Sequence, residues 1–140
     1  MHLIKLTNRK ISDLKKDKKD LPKELFTIID FDNLVKIEES FDGDCICFTT
    51  ANCVKSTTLI ESFEDSVGID WLKRMYSGSI ISTTTKPMYL SEKPRNIIIV
   101  KRFIDIIEPV NDETCIIHLK NDTSVIVDMS VDELIKKLGG

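Results

Sequence analysis

The sequence predicts an α+β fold: two tandem β-rich modules with pseudo-twofold symmetry, each built of antiparallel strands and a hairpin closed by a C-terminal amphipathic helix. Three observations lead there. The chain carries twenty Ile and a single Ala, Ala51, a balance that favours strands, because β-branched side chains are stiff at χ1 and pack well on a pleated surface. The stretch FIDIIEPVNDETCIIHLKNDT, Phe103 to Thr123, repeats without a gap the pattern of NLVKIEESFDGDCICFTTANC, Asn33 to Cys53. Leu34 falls on Ile104, Ile37 on Ile107, Glu38 on Glu108, Asp42 on Asp112, Cys45 on Cys115 and Ile46 on Ile116. Each stretch is then followed by a serine that opens a helical apolar pattern.

The first module spans residues 1–76. LIKLTN, Leu3–Asn8, alternates apolar and polar residues and reads as a strand. A polar, lysine-rich loop over residues 10–20 follows and closes at Leu21-Pro22. ELFTIID, Glu24–Asp30, is a second strand, FDNL a turn, and VKIEE, Val35–Glu39, a third strand. Asp42-Gly43 signals a turn into CICFTT, and AN a tight turn into the returning strand CVKSTTL, Cys53–Leu59. Ser62 and Asp65 resemble a capping box. Phe63, Val67 and Trp71 recur every four residues behind it, Leu72 and Met75 extend the stripe, and Gly68 weakens it.

The second module, residues 77–140, keeps the order. SIISTTT, Ser79–Thr85, is a strand, KPMYLSEKPR a proline-marked loop, and NIIIVKRFIDIIE a strand, a turn and the next strand. TCIIHLK and TSVIVDM form a hairpin across Asn121-Asp122. Ser130 and Glu133 make a capping box before Val131, Leu134, Ile135 and Leu138, with Gly139 placed to end the helix. The first strands start 31 and 24 residues before Leu34 and Ile104, so the first copy carries a loop seven residues longer, at Lys15–Lys19. Two copies of so long a period suit a paired module rather than a solenoid.

The segment VKRFIDIIEPVNDETCIIHLKNDTSVIVDMSVDELIKKL, Val100 to Leu138, resembles the small FlbD-type proteins encoded in flagellar operons. The matching elements are Ile104–Glu108, Asp112–Thr114, Ile117–Leu119, Asn121-Asp122, Val125–Val127 and Ser130–Ile135; Ile4–Asn8 is similar to that family's first strand. Asp122 stands where the family has a turn Gly, and the family does not normally carry two copies. The resemblance implies a small β-hairpin-plus-helix module and no catalytic activity.

Composition bounds the function. No apolar run reaches the ~18 residues of a membrane span, and MHLIKLTNRK lacks the apolar region of a secretion signal, so no membrane partner and a cytosolic origin are expected. Cys45, Cys47, Cys53 and Cys115 form no C-x-x-C pair and read as buried thiols; a zinc site would need His2 or His118, and neither has ligand spacing. No nucleotide-binding or hydrolase motif is present, so catalytic, metal and cofactor sites are all expected to be none, with no small-molecule substrate. Glu38 and Glu108 would pair as carboxylates under a twofold, but each reads better as a solvent-facing strand end; His118, aligned with Phe48, reads as a packed or half-exposed strand residue.

Charge is uneven. Residues 1–23 have eight Lys/Arg against three acids, a net of +5; residues 24–71 have two against eleven, −9; residues 72–140 have ten against nine, +1. Lys15, Lys16, Lys18 and Lys19 on one side and Asp42, Asp44, Glu61, Glu64 and Asp65 on the other are therefore the candidate interaction residues, pairing head to tail between neighbours. Asp13, Asp17 and Asp20 interleave with the lysines and no stacking aromatics accompany them, which argues against direct nucleic-acid binding. The expected function is a non-enzymatic structural subunit of a homo-oligomeric assembly. Small size, duplication and the AT-rich codons that Ile and Lys imply resemble an accessory virion protein of a tailed bacteriophage, in a neck or tail ring or on the capsid, made in the host cytoplasm. The alternative is a small cytosolic regulator that binds nucleic acid or protein.

Overall fold

The computed structural model describes residues 2–7, 26–50, 52–54, 62–64, 66–89 and 91–139. Five strands come first: β1 (Leu3–Thr7), β2 (Phe26–Asp30), β3 (Leu34–Glu39), β4 (Cys45–Thr49) and β5 (Asn52–Val54). Helix α1 (Val67–Met75) follows, then β6 (Ile80–Thr84), β7 (Asn96–Val100), β8 (Ile104–Pro109), β9 (Cys115–Leu119), β10 (Ser124–Val127) and α2 (Val131–Lys137). Single 310 turns, Phe31–Asn33 and Lys101–Phe103, join β2 to β3 and β7 to β8. The fold is α+β, with every pair of the described strands antiparallel.

An offset of seventy residues carries β2 onto β7, the first 310 turn onto the second, β3 onto β8 and β4 onto β9. Register follows as well. Ile37 faces Cys47 and Ile107 faces Ile117, and both hairpins slip at the same place, between Leu34 and Lys36 and between Ile104 and Ile106. Leu3 faces Asp30 at one end of β1–β2, as Ile80 faces Val100 at the end of β6–β7.

The sheets do not divide at residue 76. They run β5-β4-β3-β7-β6, β10-β9-β8 and β1-β2. The five-stranded sheet is central because β7 is apolar on both sides. Ile98 and Val100 enter a core with Ile4, Leu6, Ile29, Ile37, Cys47, Ile69 and Leu72. Ile97 and Ile99 enter the opposite core with Val35, Cys115, Ile117, Val125, Val127 and Leu134. A strand covered on both faces reads as an unbroken apolar run, as IIIV does. A twofold relation would repeat the β3–β7 seam as a β8–β2 seam; the described strands make the first and not the second, since β2 and β8 lie on opposite faces of the central sheet.

Helix α1 starts one turn later than its sequence pattern suggests. Ser66, not Ser62, is its N-cap, with Oγ accepting from the Ile69 N–H at 3.1 Å, while Ser62 bridges to Asp44. The shift rotates the buried stripe onto Ile69 and Leu72 and leaves Val67 and Met75 exposed. Gly68 is then required rather than merely tolerated. A Cβ there would lie 2.3 Å from the Lys5 carbonyl oxygen and 2.6 Å from Leu6 Cδ2, so this position sets how closely α1 rests on β1. Helix α2 follows its sequence signals: Ser130 Oγ accepts from the Glu133 N–H, the Glu133 carboxylate returns to Ser130, and Gly139 ends it at φ +82°. Asp122 adopts φ +64°, the turn conformation for which Gly is usual.

Candidate functional site

Of the residues singled out by charge, Lys15, Lys16, Lys18, Lys19, Glu61 and Asp65 lie outside the described residues. Asp42 is exposed in the turn before β4, and Glu64 is exposed beside a recess that Phe41, Lys93 and Arg95 also line. Asp44 is only 2% exposed, folded in by the turn's hydrogen bonds, and offers no surface charge. Cys45, Cys47 and Cys115 are buried, whereas the Cys53 side chain lies outside the described residues. Burial pushes the Cys115 thiol up from its ordinary value. Among the described residues no three His, Cys, Asp or Glu side chains gather to hold a metal, and no helix is long and apolar enough to cross a membrane.

The two equivalent glutamates differ. Glu38 does not face solvent as its place at a strand end suggests. It accepts at 3.1 Å from Lys36 Nζ, which is itself buried and lies 4.4 Å from the centre of the Phe48 ring. Glu108 is exposed and meets His118 Nε2 at 2.6 Å, while His118 Nδ1 meets Ser124 Oγ at 2.8 Å. Carboxylate, imidazole and hydroxyl thus stand in line across β8, β9 and β10. The order is that of a hydrolase relay, but Ser124 is exposed at a strand end, and the recesses lined by Glu64 and Arg95, Asn33 and Thr49, or Lys73 and Lys101 are formed by other residues. The array ties β8, β9 and β10 together. Strand register brings these residues together, since His118 faces Ile106 on one side and Ser124 on the other, and sequence spacing alone does not reveal it.

The larger asymmetry lies at the strand edges. Among the described residues, strand β3 has β4 on one side and β7 on the other, whereas its counterpart β8 has β9 only; β7 lies between β6 and β3, whereas its counterpart β2 has β1 only. Exposure follows the edges. Ile98 is 0% exposed and its counterpart Ile28 is 53%; Ile80 is 7% and its counterpart Leu3 is 52%; Lys36 is 3% and its counterpart Ile106 is 53%. Three large apolar side chains thus lie open where the equivalent positions in the other half are buried. Beside the outer edge of β2 runs a recess of about 300 Å³ lined by Thr27, Ile28, Ile29, Asn33 and Thr49.

A second surface gathers cations. Lys73 from the last turn of α1, Lys101 from the second 310 turn and Lys137 from the last turn of α2 line one recess with Ser77 and Ser82, and Arg102 lines its neighbour. Helix C-termini accept cations for their own stability, which accounts for Lys73 and Lys137. No family model matches the chain, and neither a curated protein nor a solved structure shows significant similarity to it.

Proposed function

We propose that the chain is a tandem duplication serving as a non-enzymatic structural subunit of an oligomeric assembly, a bacteriophage virion component such as a neck or tail ring or a capsid-associated protein. The observation that carries the reading is the pairing of buried and open counterparts: Ile98 with Ile28, Ile80 with Leu3, and Lys36 with Ile106. Large apolar residues exposed on edge strands are a liability in a monomer and a feature of surfaces that are covered in the working state. The shared register and the shared bulge support duplication. The virion assignment, with the host cytoplasm as the place of assembly, rests on small size, composition and duplication.

Light scattering of the purified chain across concentration and salt tests the assembly reading, which expects particles of several copies; a monomer under every condition contradicts it. The second reading, a cytosolic regulator that binds nucleic acid or protein, is favoured by the cluster of Lys73, Lys101, Arg102 and Lys137. It expects a monomer that retards DNA in a gel, with retardation lost as salt rises.

A further inference from the structure

We propose that the open edges are filled by a second copy of this chain: β8 of one copy pairs antiparallel with β2 of the next, in the register of the β3–β7 seam. The inference rests on the assembly reading above and names its partner and its seam.

The seam inside the chain is the template. Strand β3 meets β7 with Lys36 opposite Ile99, Ile37 opposite Ile98 and Glu38 opposite Ile97. Moved by the seventy-residue offset, the same register sets Ile106 opposite Ile29, Ile107 opposite Ile28 and Glu108 opposite Thr27 of the neighbour. The two half-sheets β10-β9-β8 and β2-β1 then join into a five-stranded sheet ordered like β5-β4-β3-β7-β6. Strand addition of this kind satisfies backbone groups along both edges. It also covers Leu3, Ile28 and Ile106, the three residues whose counterparts are already buried.

The recess beside β2 sharpens the fit. Within the chain, Val35 of β3 sits in one core with Ile97, Ile99 and Leu119, against which Phe103 packs. Seventy residues away, the incoming residue is Asp105, exposed on β8, and the recess is lined instead by Thr27, Ile29, Asn33 and Thr49. The insert and three of the lining residues, Thr27, Asn33 and Thr49, are polar where Val35, Ile97, Phe103 and Leu119 of the inner seam are apolar, and Ile28 and Ile29 keep the lining partly apolar. Pro109 ends β8 one residue beyond the paired stretch, leaving all three pairs available. It replaces Glu39, whose carboxylate and carbonyl receive bonds from Asn96 and Arg95 across the inner seam. The seam between copies therefore lacks those contacts and is the weaker of the two.

One chain cannot close the seam on itself, because its β2 and β8 lie on opposite faces of the central sheet. Each copy offers one β2 and one β8, which makes the contact heterologous, and such contacts build rings or filaments.

The test is disulfide trapping in the full chain carrying Ile28→Cys together with Ile107→Cys, since residues directly opposed across strands have Cβ atoms roughly 4.5–5.5 Å apart, a small adjustment from the roughly 3.5–4.5 Å a disulfide spans. Mild oxidation is expected to give bands of two or more copies that reductant collapses, while either single substitution gives none. Ile28→Lys, at an exposed site that a charge leaves folded, is expected to weaken association at least tenfold by light scattering. A cross-link confined to one chain overturns the inference by showing that β2 and β8 meet within a molecule. Assembly that survives Ile28→Lys, with no cross-linked bands from the double variant, overturns this seam and leaves the structural-subunit reading standing. A monomer throughout overturns both.

Discussion

Strands β7 and β2 hold the same place in their two halves, yet one lies inside the molecule and the other at its edge. Beyond β7 stands β3, and the strand reads Ile97-Ile98-Ile99-Val100, apolar at every step. Beyond β2 no described strand stands, and it reads Thr27-Ile28-Ile29-Asp30. Two of the four positions are polar, as expected for an edge, and Asp30 accepts from the N–H groups of Asp32 and His2. Ile28 stays apolar and 53% exposed, and it is the residue that the proposed seam would cover.

The strongest way to break the comparison is to truncate both isoleucines. Ile98→Ala is expected to cost about 2–5 kcal/mol in chemical denaturation, as for a fully buried aliphatic residue, while Ile28→Ala changes the isolated chain by about 0.5 kcal/mol or less. Equal losses in dilute solution would mean that the two edges do not differ.

The paired glutamates give the next contrast. Lys36→Ala leaves the Glu38 carboxylate enclosed without its ammonium partner and is expected to cost about 3 kcal/mol. His118→Ala removes the partner of exposed Glu108 and should cost under about 1 kcal/mol. Urea midpoints of the two variants, compared at equal m-values, check the ranking.

Gly68→Ala probes how β1–β2 is held where no further described strand pairs with it. Helix propensity favours the change by up to about 1 kcal/mol, but the new methyl group meets the Lys5 backbone, so a net loss of about 1–3 kcal/mol is expected in thermal unfolding. A gain in stability would mean that the hairpin gives way freely. The smallest effect comes from Cys115. Its folded-state thiol titrates above the ordinary 9.0, so the neutral form is the favoured one in the fold. That contribution is fully present below the unfolded value and is lost as pH rises through the folded one. The unfolding midpoint should therefore fall at alkaline pH, and less steeply in Cys115→Ala.

Much of the fold is legible in the sequence because it is local. The alternation in Leu3–Thr7, the Ser130–Glu133 box and the Asn121-Asp122 turn each depend on residues within a few positions. What is not legible is what packing decides. Ser62 and Ser66 are both able to cap a helix, and the choice falls to Ser66 because it brings Gly68 against β1 and Ile69 and Leu72 into the core. Lys36 reads as the outward residue of an alternating strand until β7 arrives beside it and closes over it. The candidate edge is hidden in the same way. The offset of seventy is plain in the sequence, but only the pairing of β3 with β7, across the two halves, reveals which counterparts are left open.

Hydrogen–deuterium exchange measured at low and high protein concentration tests this most directly. Backbone amides of β3 and β7 should be protected at both concentrations, whereas those of Ile28–Ile29 and Ile106–Glu108 should gain protection together as concentration rises. Exchange at these edges that is independent of concentration would contradict the account.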